Sequence, residues 1–275
     1  MTLRIGWFTT ARGAGSRGMF EAALAAIEAG ALDAEIAVVF CNREPGEDPV
    51  TDGFLDRARS AGIPVVALSS VRSRRERGGE RSSPGAPLPP WREAYDVEVA
   101  RRLAAHPFDV GVLAGYMLIL TASFVRHHAL LNLHPALPGG PIGTWREVMR
   151  ELIRTRAPES GVMVHLAIAE VDAGPVVAYC RYPIVGPAFD PLWSELDGHI
   201  DEMDDAAIEA TPLFLRIRDA GLAVEAPFLV AALAAFAEGR VRAERGALHT
   251  PADAPEPPLD LTVDVAARTR ANTRA

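Results

Sequence analysis

Short apolar runs alternate with amphipathic stretches along the first third of the chain. Leu3 to Thr9 is rich in β-formers, and the turn Arg12-Gly13-Ala14-Gly15-Ser16 follows it. A helical pattern then runs from about Met19 to Ala29. Ala34 to Phe40 reads as a second buried strand, Phe54 to Ala61 as a helix stopped by Gly62, and Pro64 to Leu68 as a third short strand. Strand and helix in alternation predict a parallel sheet covered by helices, an α/β arrangement.

The pattern breaks between Val71 and Trp91. Residues 72–90 are dense in Arg, Glu, Gly, Ser and Pro with almost nothing to bury, which predicts a mobile surface loop. Its arginines are either simply solvated or touch an anionic ligand. Regular patterning resumes with a helix over Arg92 to Ala105, a strand over Asp109 to Ala114, and a strand over Leu130 to Leu133 that runs into His134-Pro135. Trp145 to Arg154 is an amphipathic helix. Gly161 to Ile168 and Val176 to Ile184 read as strands joined through Glu170-Val171-Asp172-Ala173-Gly174-Pro175. The acidic stretch Leu192 to Ala210 shows no clear period.

Pro212 is suited to open a helix ending at Gly221, and Pro227 to open another ending near Gly239. From about Ala252 the chain turns rich in Pro, Ala and Asp and reads as a loosely held tail. The expected organisation is one domain over residues 1–246, with 72–90 as a loop insert and 187–210 as a connecting segment. Residues 247–275 form the C-terminal tail. No internal repeat is present.

Composition narrows the partners. The 275 residues are 49% apolar, enough for a sizeable core, and carry a formal net charge of -8. That sign argues against nucleic acid as a partner and requires local arginines for any anionic substrate. Cys41 and Cys180 are far apart with no metal-ligand spacing around them, so both are expected to be buried, reduced residues of a cytoplasmic protein. The first residues lack the basic segment, apolar core and small-residue cleavage site of a secretory leader, so none is expected, and no uncharged apolar run reaches the ~20 residues of a membrane span. The apolar stretch Phe228 to Phe236 reads as a core helix. No metal and no membrane association are expected, and the chain is a monomer or a homodimer.

Three segments carry chemistry. In Leu130-Leu131-Asn132-Leu133-His134-Pro135, Asn132 and His134 are two apart on a strand and project from one face at its carboxyl end. Open α/β sheets bind ligands there, although a histidine at a strand end also serves as a loop cap. In the second segment, Asp172 precedes a Gly-Pro turn, which is ordinary turn chemistry. Beside an imidazole, however, a carboxylate orients the ring and favours its protonated form. An Asn next to that pair is able to donate to a developing oxyanion, and the trio would suit acyl transfer to an amine. The third segment, Gly13-Ala14-Gly15-Ser16-Arg17, is either a tight turn or an anion site at a helix N-terminus.

In this order the segments resemble the glycinamide ribonucleotide formyltransferase family and its 10-formyltetrahydrofolate-using relatives. The most specific stretch is Leu113-Ala114-Gly115-Tyr116-Met117-Leu118-Ile119-Leu120, followed by Asn132-Leu133-His134-Pro135 and later by Glu170-Val171-Asp172-Ala173-Gly174-Pro175. Weaker matches are Arg92-Glu93-Ala94-Tyr95-Asp96, Phe40-Cys41-Asn42 and Phe236-Ala237-Glu238-Gly239-Arg240.

The resemblance implies a Rossmann-like, mostly parallel sheet and transfer of a formyl group to an amine of purine biosynthesis. It implies that His134 and Asn132 polarise the formyl oxygen, while Asp172 holds the imidazolium and a proton-carrying water. It also implies a folate site at Arg92, Met117, Leu118, Ile119, Leu120 and Val171. The phosphorylated amine is expected at Gly13, Gly15, Ser16 and Arg17, with its ribosyl group on Glu225. His165 is expected to support the structure or the cluster from behind.

Four positions depart from the family pattern. Arg17 stands where Asn is usual, Leu118 where Arg is common, Ala136 where Ser is usual, and Met163 where Ser or Thr is usual. The segment at 187–210 is longer than expected. The acceptor is therefore open between glycinamide ribonucleotide and another amine, such as a sugar-nucleotide amine or an aminoacyl-tRNA. The tRNA enzymes carry a further C-terminal domain, which the short acidic tail does not replace. Formyl-folate hydrolysis and a non-catalytic folate or nucleotide binder are the remaining readings. The hydrolases carry an N-terminal regulatory domain, for which nothing before the strand at Leu3 is a counterpart.

Overall fold

The computed structural model describes residues 2–82, 86–244, 246–253 and 255–272. Residues 83–85 of the expected loop, and 254 and 273–275 of the expected tail, lie outside them. In chain order the elements are β1 (Leu3–Thr9), α1 (Ala14–Glu28), β2 (Ala34–Cys41), α2 (Pro49–Ser60), β3 (Val65–Ala67), α3 (Ser70–Glu76), α4 (Trp91–Leu103) and β4 (Val110–Leu113). They continue with α5 (Ala122–His127), β5 (Leu130–His134), α6 (Trp145–Arg154), β6 (Glu159–Leu166), β7 (Val176–Pro183), α7 (Asp190–Leu196), α8 (Asp205–Glu209) and α9 (Pro212–Ala237). The chain closes with β8 (Arg242–Glu244), β9 (Ala247–His249), β10 (Leu259–Asp260) and α10 (Thr262–Asn272).

Eight strands form one sheet in the order β10-β7-β6-β5-β4-β1-β2-β3. β6 pairs antiparallel with both β5 and β7, and the other pairings are parallel. The chain leaves β1 toward β2 on one side and returns to its other side at β4. That reversal opens a crevice at the carboxyl ends of β1 and β4, where doubly wound sheets hold ligands.

Both faces of the sheet are covered, so its central strands are apolar throughout. Ile5 and Trp7 of β1 enter the core shared with α1, α9 and α10, and Trp7 meets Phe20 edge-to-face at 5.4 Å. Phe8 points the other way, into the core under α4 and α5, among Phe40, Tyr116 and Phe124. Burying a ring of this size contributes about 1.5–3 kcal/mol, so β1 is anchored on both faces. Burial also pushes the Cys41 and Cys180 thiols up to about 11 each, which keeps them protonated and inert at neutral pH.

Four expectations are corrected. The segment expected as a loop from residue 72 begins inside α3, because Ser69 caps that helix by accepting from the Arg72 amide at 3.0 Å. A short helix, α5, follows β4 unannounced, capped by Thr121.

The two helices expected to meet between Gly221 and Pro227 are one helix, α9, with Pro227 inside it. Gly221 does not end a helix. A Cβ there would lie 2.9 Å from the Tyr182 hydroxyl, so close packing explains the glycine. Tertiary burial holds α9 together where local signals predict a break. α9 is apolar enough by composition to span a bilayer, but 61% of its most apolar window is buried within the fold.

The last segment is not a loosely held tail. β10 adds to β7 at Leu259↔Ala178 and Asp260↔Tyr179, and Leu259, Leu261 and Val265 join the main core. The 187–210 stretch forms α7, a 3-10 turn at Ile200–Glu202, and α8. Phe189, Ile200 and Ile208 bury against α6 and the start of α9 in a separate core. Arg150 and Arg146 pair with Glu209, and Arg154 with Asp205, tying α6 to α8.

Candidate active site

The crevice begins where β1 turns into α1. The cap residue Gly13 is extended (φ -94°, ψ 142°), and no side chain caps the helix start. The first-turn amides therefore keep their donors for a ligand, and the helix dipole favours an anion there. Ser16 is buried and its hydroxyl donates to the Gly13 carbonyl at 2.9 Å, which fixes the turn.

Across the crevice stands Glu225 of α9, only 6% exposed. Its Oε2 lies 3.4 Å from where a Cβ on residue 15 would sit, an ordinary van der Waals contact, so the carboxylate sits directly against the first turn of α1. Arg218, two helical turns earlier, donates to Glu225 Oε1 at 2.7 Å and stacks over the Trp145 ring at 4.7 Å. A buried carboxylate is tolerated because it is paired.

Asn132 and His134 stand at the end of β5. Asn132 is the direct cross-strand partner of His165 on β6. Its Nδ2 lies 3.1 Å from Asp172 Oδ1 and 3.2 Å from His165 Nε2. His165 Nδ1 is 3.1 Å from the Leu166 carbonyl, which makes Nδ1 the protonated nitrogen and, in the neutral ring, leaves Nε2 to accept from Asn132. His165 Nε2 is also 3.5 Å from Asp172 Oδ1.

His134 is 3% exposed and donates from Nε2 to the Pro141 carbonyl at 3.0 Å, leaving Nδ1 as the nitrogen available to a ligand. Asp172 thus touches Asn132 and His165, and reaches His134 through space. The expected direct hold of Asp172 on His134 is not seen: the imidazole is bonded through Nε2 to the Pro141 carbonyl, and Asp172 acts on it only through its charge.

Asp172 has φ 56°, a left-handed backbone that Asp tolerates better than most residues. The turn that imposes it packs tightly. A Cβ at Gly174 would lie 1.7 Å from the Leu166 carbonyl, so only glycine fits there. A hydrogen bond with His165 is the largest influence lowering the Asp172 pKa. Partial burial opposes it, and the charges of His134 and His165 and the Asn132 amide lower it further, so the net shift is downward.

Two cavities meet at this cluster. A polar cleft of about 540 Å³ is lined by Gly13, Gly15, Ser16, His134, Arg218 and Glu225, and reaches Asn132 and Asp172. An apolar pocket of about 260 Å³ is lined by Leu118, Ile119, Leu120 and Val171, and also reaches Asn132 and Asp172. Met117, 78% exposed, stands on the rim common to both.

Of the expected residues, the crevice gathers Asn132, His134, Asp172, Gly13, Gly15, Ser16, Glu225, Met117, Leu118, Ile119, Leu120 and Val171. Two expectations are corrected. Arg17 turns away, and its guanidinium meets the Val50 carbonyl at 3.3 Å on the surface. It sits in the first turn of α1, on a face rotated away from the cleft. Arg92 is wholly buried beneath the pocket. Its Nη2 donates to Asp96 Oδ1 and to the Ile119 carbonyl, each at 2.8 Å, so it props up the pocket backbone from behind.

Arg12, Arg43, Arg218 and Trp145 line the polar cleft without having been singled out in the sequence. The seven-residue spacing of Arg218 and Glu225 is the signal for one helix face, but it is visible only once α9 is known to be continuous.

Residues 12–188 match the formyl transferase family. Phosphoribosylglycinamide formyltransferase from Dictyostelium discoideum is 31% identical over 175 residues, covering 60% of this chain and 78% of that protein. The enzyme of the same name from Escherichia coli (strain K12) is 31% identical over 175 residues, covering 62% and 70%. Among solved structures, glycinamide ribonucleotide transformylase 1 from Symbiobacterium toebii shares the fold, with TM-score 0.61, 24% identity, and 90% and 94% of the two chains covered. A formyltetrahydrofolate deformylase from Pseudomonas syringae does so too, with TM-score 0.61, 19% identity, and 91% and 66% covered. With its matched segment running from the start of α1 to the end of β7, the chain belongs to the formyl transferase family.

Proposed function

We propose that the chain transfers the formyl group of 10-formyltetrahydrofolate to the primary amine of glycinamide ribonucleotide, in the cytoplasm. The observation that carries this reading is the meeting of the polar cleft and the apolar pocket at Asn132 and Asp172. A two-substrate transfer needs that arrangement, since the reacting atoms must be held near 3–3.5 Å.

The apolar pocket suits a flat heterocycle. Leu118, Ile119, Leu120 and Val171 supply its walls, and the Met117–Leu120 backbone supplies an edge of donors and acceptors. The polar cleft suits a phosphorylated ribosyl amine. The Gly13–Ser16 turn faces the phosphate, assisted by the charge of Arg12, and Glu225 accepts from ribose hydroxyls.

The amine nitrogen attacks the formyl carbon, and the bond from that carbon to the folate N10 breaks. His134 Nδ1, in the protonated ring, stabilises the oxyanion as it forms. Both Asn132 amide hydrogens face Asp172 and His165 at rest, so one of those bonds is exchanged for the oxyanion. Asp172, with its lowered pKa, stays ionised and orders the water that carries the proton from the amine to N10.

The test is tetrahydrofolate release from 10-formyltetrahydrofolate, followed spectroscopically with and without glycinamide ribonucleotide. Turnover that requires the amine is the expected result. Equal turnover without it would replace transfer by hydrolysis, and folate binding without turnover would leave only a binder.

A further inference from the structure

One wall of the polar cleft carries a row of side chains from α9 and α6. Glu225 Oε2 sits against the first turn of α1, and its Oε1 accepts from Arg218 Nη1 at 2.7 Å. The carboxylate therefore stands between this guanidinium and the Gly13–Ser16 turn. Beyond Arg218 the row ends at the Trp145 ring, 4.7 Å from the guanidinium carbon. Glu225, Arg218 and Trp145 all line the cleft.

The Arg218 guanidinium is fixed in place but only partly used. Among the described residues its one recorded hydrogen bond is the bond to Glu225, which leaves its other N–H groups for a ligand in the cleft. Trp145 sets its plane. The ring packs against Phe214 at 5.8 Å and carries a second guanidinium, that of Arg146, at 4.5 Å. Glu209 of α8 pairs with Arg146 and Glu225 with Arg218, so each cation on the ring is balanced by its own carboxylate. The longer segment at 187–210 thereby braces this wall of the cleft.

A guanidinium only donates and a carboxylate only accepts, whereas a hydroxyl does both. A sugar diol placed over the pair meets one partner of each kind. A phosphate in the same place would gain from Arg218 and be repelled by Glu225 beside it. We propose that Arg218, held on Trp145, is a specificity-determining residue that reads the ribose hydroxyls of the acceptor together with Glu225. The inference rests on the acceptor being a ribosyl amine, as in the proposed function.

The test compares kcat/KM for glycinamide ribonucleotide and for its 2′-deoxy and 3′-deoxy analogues, with 10-formyltetrahydrofolate supplied. Wild type is expected to prefer the parent over at least one analogue by about tenfold or more, the size of a lost hydrogen bond to a charged group. In Arg218→Met that preference should shrink to about threefold or less, because the variant loses most with the compound that has the hydroxyl. If Arg218→Met does not fold, Trp145→Leu, which leaves both charges of the pair in place, should lose part of the preference.

The full wild-type preference in the folded variant overturns the inference. A variant that slows all three compounds equally does so too, since it assigns the guanidinium to the phosphate they share. A wild type that turns over parent and analogues alike overturns the inference and spares the acceptor reading. Failure to turn over any of the three overturns the acceptor reading and the inference with it.

Discussion

Asn132 and His165 face each other across the antiparallel step between β5 and β6, with the amide nitrogen 3.2 Å from the ring Nε2. His165 is 2% exposed and held from behind by the Leu166 carbonyl, so the contact fixes the orientation of the Asn132 amide. His165 is thus a positioning residue. His165→Ala is expected to lower kcat about 10- to 100-fold while leaving KM for the acceptor within about twofold, the pattern for an interaction realised in the transition state. A variant in which only KM rises would assign His165 to binding instead.

His134 is expected to matter more. It meets the reacting atoms directly in the proposed mechanism, so His134→Ala should reduce kcat by roughly 10²–10⁴-fold, with folate affinity kept. Steady-state kinetics with direct folate titration separate the two effects. Near-wild-type turnover in that variant would rule out the proposed acid.

Charge in the polar cleft is expected to come from Arg218 and not from Arg17. Arg218→Met removes the partner of a buried carboxylate, so KM for the acceptor should rise about tenfold or more. Arg17→Ala should change it by no more than about twofold, because its guanidinium lies on the surface. A reversed ranking would return Arg17 to the acceptor site.

Asp172 makes a pH prediction. Its folded pKa is lowered, so its stabilising contribution is present above the unfolded value of about 3.9 and is lost as pH falls through the lower folded value. The acid limb of kcat/KM should then fall below the ordinary aspartate range wherever this carboxylate controls it. Asp172→Asn should abolish most activity at neutral pH. It should also remove part of the acid sensitivity of stability, measured by denaturant unfolding at pH 7 and pH 3. An acid limb unchanged in Asp172→Asn would assign it to another group.

The end of the chain is part of the core. Leu261, 1% exposed, packs where β10 closes the sheet edge. Leu261→Ala is expected to cost about 2–5 kcal/mol, read as a lower midpoint in urea. A loss below about 0.5 kcal/mol, typical of surface positions, would return the segment to a loose tail.

Local chemistry made much of this protein legible before its structure. The apolar runs at Leu3–Thr9 and Ala34–Cys41 are buried on both faces, so they announce themselves as strands. Asn132 and His134 read as a pair because a strand repeats every two residues, a rule that needs no distant partner. Gly174 reads as a turn for an equally local reason.

The tertiary structure decided the rest, through contacts between residues far apart in the chain. α9 stays continuous through Gly221 and Pro227 because the sheet and Tyr182 bury it, and burial outweighs the local breaking signals. Arg17 and Arg92 are arginines at positions where chemistry was expected. Only packing shows that one faces the surface and the other is locked to Asp96. His165 joins Asn132 through strand register, and Arg218 of α9 meets Trp145 of α6. A side chain's type is local, but its direction and its neighbours follow from how the sheet and helices close on one another.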